Sequence, residues 1–136
     1  MRAWGRVGLA AAALGLAVTA TAQNVLTQRD GQGPVTVVVT LAAPPQVGLS
    51  IRATVVLDTH AVALDGVSFE QAVALRTPEG ADVVPVGLEG ATGGGHHRQA
   101  VVIFPPVTQP GTVRILVKNV GGVAERSFAW ELPTRQ

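Results

Sequence analysis

Between residues 50 and 60 the chain alternates: Ile51, Ala53, Val55 and Leu57 project one way, while Arg52, Thr54, Val56, Asp58 and His60 project the other. A period of two is the signature of a β-strand with one face in a core, and no α-helix reproduces it. The same alternation makes Asp58 and His60 neighbours on one face at the strand end. Their Cα atoms stand roughly 7 Å apart at about 3.3 Å of rise per residue. A carboxylate and an imidazole so placed form the first half of a candidate site.

The rest of the chain repeats this strand grammar. Residues 35–41 put Val35, Val37, Val39 and Leu41 on one face, and Pro44-Pro45 ends the run because proline has no ladder donor. Ser68 and Gln71 have the spacing of a helix capping box ahead of Ala72, Val73, Ala74 and Leu75. That segment is too short for periodicity to decide between one helical turn and a strand over 73–77. Residues 83–86 read as a strand kept at a sheet edge by Pro85. Residues 90–95 read as a glycine-rich loop that delivers His96 and His97 into a strand over about 98–104, which Pro105-Pro106 stops. Two final strands, 112–120 and 124–132, flank the hairpin signal Gly121-Gly122. Phe128, Trp130 and Leu132 should face inward, and Arg114 and Lys118 should face water. About seven short strands without a long helix predict an all-β, antiparallel two-sheet sandwich of the immunoglobulin or fibronectin type III kind. A small barrel is the alternative.

The chain has 136 residues, room for one domain. Its N-terminus has the form of an export signal: Arg2 and Arg6, an apolar run over 7–18, and the small-x-small sequence Ala20-Thr21-Ala22. The run is shorter than the roughly 20 residues a spanning helix needs. The expected organisation is a signal peptide at 1–22, a flexible lead-in at 23–33 and a β-sandwich domain at 34–133, in the periplasm or secreted. Removing Arg2 and Arg6 from the ten basic side chains leaves eight against nine acidic, a charge of −1 with neutral histidines. That balance gives no footing for nucleic acid, and no later segment is apolar enough to span a membrane as a helix. With no cysteine in the chain, disulfides, thiolate metal sites, blue-copper centres and cysteine nucleophiles are all excluded.

Three histidines fall in two short stretches. If the strand ends meet, Asp58, His60, His96 and His97 form a site whose nitrogen and oxygen donors suit copper(II) or zinc(II). Histidine ligands must be neutral, so affinity should fall below the ordinary histidine range, about pH 6.5. The competing reading has no ion: Asp58 and His60 hydrogen-bond the glycine loop and pin it to the strand. Strand alternation would aim His96 and His97 at opposite faces unless the loop runs through them. Enzyme readings fare worse. Ser50, Ser68 and Ser127 lie on no G-x-S-x-G elbow, aromatics for stacking sugars are scarce, and the glycine run lacks the G-K-[ST] of a phosphate loop. The expectation is a non-enzymatic binding module. The alternative is an adhesive or structural domain that binds an envelope protein partner without metal.

Leu57-Asp58-Thr59-His60, then Gly94-Gly95-His96-His97-Arg98, then residues 120–130 with Glu125-Arg126, Phe128 and Trp130 resemble small exported prokaryotic proteins of unknown function. Those carry L-D-T-H-S-V-D-L, G-G-H-H and a closing D-V-x-G-V-x-E-R-x-F-x-W hairpin. The resemblance covers most of the chain after the signal and implies an exported β-sandwich, with no activity attached. Ala61, Ala63 and Asn119 depart from it, and the second of these removes an acidic group near His60.

Overall fold

The computed structural model describes residues 25–134, so the expected signal peptide lies outside the described residues. Along the chain come β1 (Thr27–Asp30), β2 (Val35–Leu41), β3 (Ile51–Thr59), α1 (Phe69–Ala72), β4 (Val73–Arg76), β5 (Asp82–Val83), β6 (Gly87–Gly94), β7 (His97–Phe104), β8 (Gly111–Val120) and β9 (Val123–Leu132). They form two antiparallel sheets, ordered β1-β2-β3-β7-β6 and β5-β4-β8-β9. The fold is an all-β sandwich, as alternation predicts.

The core lies where the inward rows of the two sheets meet. Val35, Val37 and Val39 of β2, Val55 and Leu57 of β3, and Val102 and Phe104 of β7 face Leu75, Ile115, Val117, Phe128 and Trp130. All are at most 2% exposed. Each such large side chain contributes about 1.5 to 3 kcal/mol by leaving water, which lets the domain do without disulfides. The closing hairpin joins β8 to β9 through Gly121 and Gly122, both at positive φ, as a two-residue type I′ turn requires.

Two strands arise where alternation gave no sign of them. Residues 27–30 of the expected lead-in pair with β2, from Thr27 opposite Thr40 to Asp30 opposite Val37. The segment is held by backbone and polar contacts instead of an apolar row. Trp130 Nε1 donates to the Val25 carbonyl at 2.8 Å, and Gln28 Nε2 donates to the Ala129 carbonyl at 2.7 Å. The second is β6, which absorbs most of the expected glycine loop and pairs with β7 across a register shift between Glu89 and Thr92. The shift lets a glycine-rich edge strand end a sheet without presenting a regular ladder to other chains.

Two other expectations change in detail. The helix-or-strand question at 68–77 resolves into both, one turn of helix followed directly by β4, and Ser68 stands at the N-cap without a side-chain capping bond. The edge strand expected over 83–86 shortens to Asp82–Val83, because the chain then crosses to the other sheet. There the Val86 amide donates to the Ile103 carbonyl at 2.8 Å. Val84 and Val86 stand in solvent at 70% and 68% exposure.

Candidate functional site

The pairing of β3 with β7 runs to its very end, with Asp58 opposite His97. One step further the Thr59 amide donates to the His96 carbonyl at 2.9 Å. The β6–β7 hairpin turns at Gly95-His96, between the paired residues Gly94 and His97. Gly95 takes φ +62 and His96 does not take positive φ, the pattern of a type II′ turn. The two stretches that carry the histidines, far apart in sequence, are therefore neighbours at one end of the sandwich.

The loop after β3 is fastened to this hairpin tip. The Leu64 amide donates to the Gly95 carbonyl at 2.7 Å, and the Gly95 amide donates to Asp65 Oδ1 at 3.0 Å. From inside, Arg98 Nη1 donates to the carbonyls of Leu64 and Val67, and its guanidinium lies over the Phe69 ring, 5.0 Å from the centroid. The pinning that the metal-free reading assigned to Asp58 and His60 thus falls largely to Asp65, Arg98 and the backbone. His60 makes no hydrogen bond among the described residues. Asp58 does tie β3 to the hairpin, through His97.

All four expected site residues line one open hollow of about 620 Å³, together with Arg29 and Thr36. His96 and His97 both reach it because His96 belongs to the turn, where strand alternation no longer applies. Asp58 Oδ1 accepts from His97 Nδ1–H, and both side chains are about half exposed. With its proton on Nδ1, the neutral imidazole presents the Nε2 lone pair. His60 and His96 are exposed rings on the same wall. Among the described residues, no three His, Asp or Glu side chains are drawn together as a finished metal centre. What exists is one oriented imidazole and two free ones around a shared space.

A hollow of similar size, about 640 Å³, lies at the other end of the sandwich between Pro44, Leu49 and Pro133, and among the described residues no ionisable side chain lines it. All three histidines line the first hollow. Sequence reasoning missed Arg29 there because it sits in a stretch with no apolar alternation. It did not single out Arg98 either. Yet Arg98 is the partner of Leu57, whose side chain is in the core, and that parity was readable.

No protein-family model, curated protein or solved structure matches the chain.

Proposed function

We propose that this is an exported binding module, periplasmic or secreted, whose histidine-lined hollow takes a divalent cation, copper(II) or zinc(II). The observation that carries the reading is the shared hollow. Asp58, His60, His96 and His97 come from two segments almost forty residues apart and line one wall, with His97 already oriented by a carboxylate. A carboxylate on Nδ1 with Nε2 free is how metal-binding histidines are ordinarily held. In this reading Asp58 is the orienting group, His97 is the anchoring ligand, and His60 and His96 swing in to join it. Exposed side chains change rotamer in picoseconds to nanoseconds, and ordering them around an ion costs side-chain entropy.

The strand order supports an immunoglobulin-like kind of sandwich. The run β2-β3-β7-β6 corresponds to A-B-E-D and the run β4-β8-β9 to C-F-G of that architecture.

Calorimetric titration of the chain beginning at Gln23 with copper(II) and with zinc(II) tests the reading. The parent is expected to bind one ion, and His97→Ala to lose it. Asp58→Asn should weaken binding by about tenfold or more, the usual cost of removing a carboxylate behind a metal-bound histidine. Equal affinity in the parent and in His60→Ala, His96→Ala and His97→Ala would rule the hollow out.

A second reading, an adhesive domain with an envelope protein partner and no ion, draws support from Val84 and Val86, which stand exposed beside Pro85. It predicts a melting temperature indifferent to either metal, since a ligand of the native state must raise stability.

A further inference from the structure

We infer that the cation is taken together with a small carboxylate, held across the hollow by Arg29. The inference rests on the cation reading above and names what completes the site. Arg29 belongs to β1, opposite Val38 on the outer face of the five-stranded sheet, and it lines the hollow beside the imidazoles. Of the five other arginines among the described residues, four are committed. Arg52 pairs with Glu89, Arg76 with Asp82 and Glu125, and Arg98 and Arg126 with backbone carbonyls. Arg29 and Arg114 have no partner among the described residues, and of these two Arg29 faces the histidine hollow.

The charge of the occupied hollow gives the chemistry of the ligand. Among the described residues Asp58 is the one carboxylate on its wall, and His97 already engages it. A dication on neutral imidazoles would then face the Arg29 guanidinium with that single carboxylate to offset both. Like charges lining one hollow repel, and an anion between them relieves the repulsion. Three imidazoles also leave one position of a tetrahedral zinc shell open. A carboxylate fits both demands, one oxygen on the metal and the planar group against the guanidinium fork. Thr36, on the same wall, offers a hydroxyl donor.

Zinc(II) titrations in sodium acetate and in sodium perchlorate at matched ionic strength decide the matter. The parent should bind zinc about fivefold more tightly in acetate, the scale of one exposed charge-assisted contact. Arg29→Gln should lose that gain. In perchlorate the same variant should bind zinc somewhat more tightly than the parent, because a repelling charge is gone, a sign that a merely structural role would not produce. Acetate without effect on the parent, or a gain that survives in Arg29→Gln, overturns the carboxylate and leaves the cation reading standing. Zinc bound in neither salt overturns both.

Discussion

Arg126 is the side chain whose place in this molecule departs furthest from its chemistry. It is 1% exposed, on the inward row of β9 with Phe128, Trp130 and Leu132. Its Nη1 donates to the Val35 carbonyl at 2.6 Å and its Nη2 to the Val120 carbonyl at 3.1 Å, while Asp30 Oδ1 lies 3.7 Å away. Burial pulls its pKa down and the Asp30 charge opposes that, yet a guanidinium stays protonated under all ordinary conditions. Its Nε, buried, finds no partner. One charged fork thereby fastens β9 to the start of β2 and to the closing turn. Arg126→Ala would take the fork away from the Val35 and Val120 carbonyls and leave Asp30 facing no cation. It should cost about 3 to 5 kcal/mol, read as a fall in the urea midpoint. Arg126→Lys should recover little, because one ammonium cannot bridge both carbonyls. The alternation that placed Phe128, Trp130 and Leu132 inward places Arg126 with them. The position was legible, but the chemical identity of the residue argued against it.

Among the elements, those with a two-residue apolar period were legible and those without it were not. The periods in β2, β3, β8 and β9 show their pairing faces directly, and the prolines at 44–45 and 105–106 mark where β2 and β7 stop. β1 and β6 carry no such period, since each is an edge strand whose order comes from backbone pairing to a neighbour. The glycines of β6 are the informative case. Gly93 takes φ +88, and a Cβ there would stand 2.2 Å from the His97 carbonyl oxygen. Gly93→Ala should therefore break the hairpin next to the site, costing about 1 to 3 kcal/mol and abolishing metal-dependent stabilisation. Gly122 also has positive φ, at +75, but a Cβ there meets nothing within 4 Å. Gly122→Ala should cost about 1 kcal/mol and leave the rise in melting temperature on adding zinc unchanged. Equal losses of that rise in both variants would mean that the β6–β7 tip does not position the histidines. A glycine-rich stretch can encode a close approach between strands as readily as a loop, and single-chain periodicity does not separate the two.

At the scale of the whole molecule the two outer faces do different work. The five-stranded sheet ends in the open histidine hollow, whereas the four-stranded sheet is spanned by a charge network. Arg76 bonds Asp82 at 2.7 Å and Glu125 at 3.1 Å, and Lys118 bonds Asp82 at 2.9 Å. Ala74 and Leu116 lie paired on that same outer face, and Leu116 is fully buried even though it points away from the core. Lys118 follows it on the same face of β8 and Arg76 stands on the same face of β4, positions from which basic side chains lay methylenes over apolar surface and keep their charges in water. Asp82 is the node. Its hydrogen bonds from Arg76 first, then Lys118, bring its pKa from the ordinary 3.8 to about 2. A carboxylate so depressed in the folded state binds its proton more readily in the unfolded one. Its contribution to stability is therefore complete above about pH 4 and disappears as the pH falls towards 2. Asp30, also lowered, acts in the same direction: burial opposes the shift, and bonds from Gln32 with the Arg126 charge outweigh it. Melting temperatures measured in steps from pH 7 to pH 2 should fall through this window in the parent. Asp82→Asn should start lower at pH 7, fall less steeply, and meet the parent near pH 2. Two curves that stay parallel throughout would mean that the network is a solvated surface feature and that Leu116 is held by the sheet alone.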